Sequence, residues 1–134
     1  MSKRRERPAV YLTHETINSG SELRLDKTVG VGRLELGADI ERLGEVADEF
    51  RDMAQDNVPD RIGVSAIMTE PEFVRIMDKI RRAKTPMVLR LVWSNGFVFK
   101  REWLVQGVTP PIGSDDVQIA EVDLLHRRRE KIGY

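Results

Sequence analysis

Apolar residues recur along this chain with two different periods, and the changes of period mark its elements. Ala9-Val10-Tyr11-Leu12 is a short apolar run that predicts a strand. His14 to Ser21 reads as a loop, because Asn18-Ser19-Gly20-Ser21 is turn chemistry. Between Glu22 and Leu36, Leu23, Leu25, Val29, Val31, Leu34 and Leu36 mostly alternate with polar residues or glycine, which predicts one or two strands. Gly30, Gly32 and Gly37 would weaken or bend them. Over Asp39–Gln55 the spacing becomes helical: Ile40, Leu43, Val46, Ala47, Phe50 and Met53 form one stripe, with Asp39 as N-cap. Gly44 should cost this helix about 1 kcal/mol relative to alanine. The alternative is an excursion that orders only against a partner. Asp56-Asn57-Val58-Pro59-Asp60 breaks the pattern.

In the second half, Ile62, Val64, Ala66 and Met68 share one face of a predicted strand over Arg61–Met68, with Ile67 on the other face. Thr69-Glu70-Pro71-Glu72 matches a capping box, with Thr69 as the cap and Pro71 in the first turn. The helix it starts carries a narrow stripe of Phe73, Val74, Ile76, Met77 and Ile80, has cations near its C-terminal end and terminates before Pro86. Met87–Trp93 and Phe97–Val108 predict a hairpin around Asn95-Gly96, a pair suited to a type I′ turn. A two-residue loop there sets Val92 opposite Phe99, Leu91 opposite Lys100, Val88 opposite Trp103 and Arg90 beside Arg101. Both hairpin faces are then mixed, as in a sheet whose outer side meets another subunit or one whose register is shifted. Thr109–Asp116, with two prolines and two aspartates, is a loop. Val117–Leu125 is a last strand, and 126–134 a basic tail. The fold class predicted is α+β, mostly antiparallel sheets arranged as a sandwich or barrel, with one or two flanking helices, in a single domain over residues 1–134.

Charge changes this picture more than composition does. The net charge is +0, yet the arms 1–8 and 126–134 together carry +6 and the body between them −6. Basic ends on an acidic body suit nucleic acid or the body of a neighbouring copy, and equally serve as solvated termini. Arg4, Arg5, Arg90, Arg101, Arg127 and Arg128 are the candidate subunit-interface residues. No apolar segment follows the basic start as in a signal peptide, and no run approaches the roughly 20 residues that span a bilayer, so a cytoplasmic product without membrane contact is expected.

Candidate chemistry is sparse. Cysteine is absent, which excludes disulfides and a thiol nucleophile. His14-Glu15 begins like a zinc-protease helix, but Asn18 stands where the second ligand belongs; His14 and His126 read as unpartnered surface residues. Val29-Gly30-Val31-Gly32-Arg33 lacks the third glycine of a dinucleotide loop, and no phosphate loop occurs. Asp48-Glu49 and Asp115-Asp116 lack the spacing of a calcium loop. Glu102 and Glu121 have no partner in sequence that would make them catalytic bases. Trp93, Phe97, Phe99 and Trp103 cluster on the hairpin, where packing over the helix stripe is favoured over base stacking. No catalytic residue, metal site or cofactor is expected.

The order strand, capped helix, long hairpin, Pro/Gly/Asp loop and final strand over about residues 61–125 resembles the tail tube proteins of bacteriophages. The segments concerned include Pro71-Glu72-Phe73-Val74-Arg75-Ile76-Met77, Trp93-Ser94-Asn95-Gly96-Phe97-Val98-Phe99, Val108-Thr109-Pro110-Pro111-Ile112-Gly113 and Val117-Gln118-Ile119-Ala120-Glu121-Val122-Asp123-Leu124. The resemblance implies a virion tail protein whose copies form rings, usually hexamers. The rings stack into a conduit that DNA passes through without sequence-specific binding, beside partners such as sheath or baseplate. The helical pattern over Asp39–Gln55 departs from that family, where strands or a long inter-ring loop are common. A small nucleic-acid-binding module using the basic termini, or another tail or neck component, is the alternative.

Overall fold

The computed structural model describes residues 7–56, 58–113 and 117–127. Its strands are β1 (Ala9–Thr13), β2 (Leu23–Arg24), β3 (Val31–Glu35), β4 (Arg61–Met68), β5 (Met87–Val92), β6 (Val98–Val108), β7 (Ile112–Gly113) and β8 (Gln118–His126). They form one sheet in the order β2-β1-β5-β6-β8-β4-β3, with β7 paired to β8, and every pairing among the described residues is antiparallel. The sheet curls into a half-barrel, and the fold is α+β as the alternating runs predict. The barrel-like form is the one adopted. The last strand lies centrally: β8 joins the β2-β1-β5-β6 half to β4-β3.

Strand faces follow the alternation in the sequence. Ile62, Val64, Ala66 and Met68 of β4 are buried, as are Ala120, Val122 and Leu124 of β8 and Met87, Leu89 and Leu91 of β5. Helix α4 (Glu72–Ala83) adds Phe73, Ile76, Met77 and Ile80 to this core and leaves its charged residues to solvent.

The hairpin register differs from the expectation by one residue. Val92 pairs with Val98, Leu91 with Phe99, Arg90 with Lys100, Leu89 with Arg101 and Met87 with Trp103. The loop holds three residues, Ser94 to Gly96. Gly96 N–H donates to Trp93 O (3.0 Å), Trp93 N–H donates to Phe97 O (3.0 Å), and Gly96 alone has a positive φ, 85°. This is a turn followed by a left-handed glycine, the usual three-residue loop, so Asn95 need not adopt positive φ. One residue of slip exchanges faces. Trp93, Phe97, Phe99 and Trp103 thereby all enter the core, and the predicted Arg90–Arg101 juxtaposition is absent.

Two helix expectations are corrected. The stripe over 39–55 is broken into α1 (Ala38–Glu41), α2 (Leu43–Glu49) and α3 (Arg51–Asp56). Gly37, with φ 89°, takes the N-cap position in place of Asp39. Phe50 sits outside helical geometry (φ −137°, ψ 74°), which turns Phe50 and Met53 outward while Ile40, Leu43, Ala47 and Ala54 stay buried. The capping box does not form either: Pro71 is the N-cap residue of α4. The N–H and hydroxyl of Thr69 both donate to Gly30 O (2.7 and 3.3 Å), because Thr69 extends the β3–β4 pairing past Met68.

Candidate functional site

Several residues that sequence singles out for chemistry, His14, Gly30 and Asp48 among them, are engaged by the fold. His14 is buried, contrary to its reading as a surface residue. Its Nδ1 lies 2.7 Å from Thr16 Oγ1 and 3.2 Å from the Thr16 N–H, and its Nε2 lies 2.8 Å from Thr85 Oγ1. Thr85 donates its hydroxyl to Glu15 Oε1 (3.1 Å), so it accepts from Nε2–H, and Nδ1 accepts from Thr16. This chain of bonds ties the end of β1 to the start of β5. His126 belongs to β8, half-buried beside Trp103 with ring centroids 5.0 Å apart. Gly30 (φ 81°) forms a turn packed so closely on Glu70 that a side chain there would overlap it; this is a packing role, unlike that of a phosphate loop. Asp48 accepts from Asn95 Nδ2 (2.6 Å), while Asp115 and Asp116 lie outside the described residues. Among the described residues no group of three potential metal ligands occurs, and no helix is long and apolar enough to cross a membrane.

The arginines chosen as interface candidates separate into three groups. Arg4, Arg5 and Arg128 lie outside the described residues. Arg127 is exposed just past β8, its N–H donating to Glu102 O (3.0 Å). Arg90 and Arg101 fall on opposite faces of the hairpin, and each is engaged within the chain. Arg90 donates to both carboxylate oxygens of Glu22 (2.9 and 2.7 Å) and lies 4.1 Å from the Tyr11 ring centroid. That guanidinium holds the Glu22 carboxyl below its ordinary value, its hydrogen bond outweighing the opposing effect of burial. Arg101 sits on the core side, 4.6 Å from the Phe99 centroid, and donates to Gln55 O (2.8 Å) and Gln55 Oε1 (3.1 Å). It fastens α3 to the sheet.

What remains for a partner is surface, and three features stand out. The first is a row on the far face of the sheet. Ile112 pairs with Ile119 and Ile119 with Ile67 across β7, β8 and β4, with Ile112 71% and Ile119 48% exposed. The second is the break between α2 and α3, where Phe50 is 55% and Met53 51% exposed. The third is a groove of about 640 Å³ between residues 16–29 and α4. Ile17, Leu23, Val29 and Ile76 line it, and Arg24, Lys27, Arg75 and Lys79 surround it. Sequence reasoning placed Ile67 on the outer face of its strand but missed the row it belongs to, and it missed the other two features as well. Phe50 continues the apolar stripe, so only the break in the backbone reveals it. The four cations come from two segments, Arg24 and Lys27 from the first and Arg75 and Lys79 from α4, and no local signal unites the two.

No family model matches this chain, and a search of curated proteins returns no relative.

Proposed function

We propose that this protein is a structural, self-assembling subunit of the phage tail-tube kind. In this reading its copies form stacked rings, hexamers as in that family, around a channel that DNA traverses without sequence-specific recognition. Sheath and baseplate proteins would be its neighbours and the virion tail its location. The supporting observation is the isoleucine row on the far face of a half-barrel whose edge strands β2 and β3 each have, among the described residues, one unpaired side. Exposed apolar residues on adjacent strands mark a surface that another chain covers. A curled sheet with open edges is completed by neighbours in a closed ring. Burial of Trp93, Phe97, Phe99 and Trp103 removes the stacking surface that a single-strand nucleic-acid binder would use.

The test is the paired substitution Ile112→Glu with Ile119→Lys. It should leave the melting temperature of the subunit nearly unchanged, since both side chains are exposed, and abolish assembly measured by light scattering. Unchanged assembly would show that the row is not an interface. An acidic channel wall follows from the conduit reading, because DNA must slide without being held; a strongly basic wall in the solved assembly would remove that support.

A further inference from the structure

The α2–α3 break and the groove beside α4 both pair an apolar patch with charge, and the charges are of opposite sign. Phe50 and Met53 project from a segment, residues 48–56, in which Asp48, Glu49, Asp52 and Asp56 outnumber the single Arg51. The groove has an apolar floor and a rim on which four cations outnumber the single carboxylate of Glu72. Arg24 is paired with Asp26 and Arg75 with Glu72, whereas Lys27 and Lys79 make no ion pair among the described residues. Both surfaces are exposed in the single chain, so they do not cover one another. They also lie toward opposite ends of the sheet. The hairpin turn that holds α2, through Asn95 Nδ2 to Gly44 O (2.9 Å), is at the end where Ala9 pairs with Val92. Thr16 and Ile17 of the groove follow the end where Thr13 pairs with Val88.

We infer that the groove receives the Phe50–Met53 projection of a second copy of this chain, head to tail. Phe50 and Met53 fill the apolar floor, and Glu49 and Asp52 meet Lys27 and Lys79. A contact between two different patches of identical chains propagates, closing into a ring or continuing along a stack. The inference rests on the self-assembly proposed above and names the surfaces that carry it.

Three versions of the full chain test it by light scattering and sedimentation velocity: Lys27→Glu with Lys79→Glu, Glu49→Lys with Asp52→Lys, and all four together. All four altered charges are on exposed side chains, and circular dichroism checks that each variant is folded. Each double reversal should raise the concentration needed for half-assembly at least tenfold, and the quadruple variant should return it to within about threefold of wild type. A groove used by any other partner, or a groove-to-groove dimer, gives no such recovery and overturns the inference. Because the chain has no cysteine, Val29→Cys with Phe50→Cys supplies a second reading: oxidation should give a ladder of covalent multimers, and monomers only would contradict it. A wild type that never assembles refutes the self-assembly proposal itself, whereas an assembling wild type without rescue refutes only this pairing.

Discussion

At the scale of single residues, glycine and arginine carry roles that spacing alone misreads. Gly44 looks like a helix weakness, and alanine there should add about 1 kcal/mol on propensity. In the fold a Cβ at Gly44 would overlap the Trp93 indole, so the residue permits close packing of α2 on the hairpin. Overpacking costs typically 1–3 kcal/mol, which exceeds the propensity gain. Gly44→Ala is therefore expected to lower stability by about 1 kcal/mol or more in urea unfolding, and a stabilised variant would contradict the contact. Glu22 offers a pH test. Its folded carboxyl is held below the ordinary value by Arg90, so its contribution is present above the unfolded value near pH 4.3 and is lost as pH falls through the lower folded value. The pair is about a third exposed (32% and 37%), so Glu22→Gln should cost less than about 1 kcal/mol at pH 7. The difference from wild type should close at the acid end of the titration; a difference that persists at pH 2 would show a packing effect.

At the scale of elements, the strands were legible because burial on one face imposes alternation, as over Ile62, Val64, Ala66 and Met68. Helix α4 was legible for the same reason at its own period. What escaped was decided by partners distant in sequence. Thr69 fits a capping box locally but is taken by Gly30 across the β3–β4 pairing. Asn95 invites a two-residue turn, yet its side chain reaches α2 and accepts the Phe97 N–H at 3.0 Å, in a three-residue loop. The stripe over 39–55 hides its break at Phe50 because apolar residues continue through it. Of the candidate interface, the arginines were visible as charges, but their engagement by Glu22 and Gln55 was not. Two predictions belong here. Arg101→Met removes the bonds to Gln55 and should speed amide exchange in α3 severalfold while leaving β4 and β8 protected. Val122→Asp places a carboxylate in the centre of β8, between both halves of the sheet, and should unfold the protein at 37 °C as judged by circular dichroism.

At the scale of the whole molecule, the described residues form a half-barrel whose core takes in Trp93, Phe97, Phe99, Trp103 and His14 and which exposes an isoleucine row, an acidic projection and a groove rimmed by cations. His14 and the hairpin aromatics are held within the fold, while apolar surface suited to association is left open. The open apolar surface supports the proposal of an assembly subunit. The most direct test is negative-stain electron microscopy of the purified protein, concentrated at moderate salt, with light scattering for mass. Rings or tubes with a central hole, dispersed by the Lys27→Glu/Lys79→Glu variant, are the expected result; a monodisperse species of one chain mass, about 15.4 kDa, across the concentration range would contradict the account.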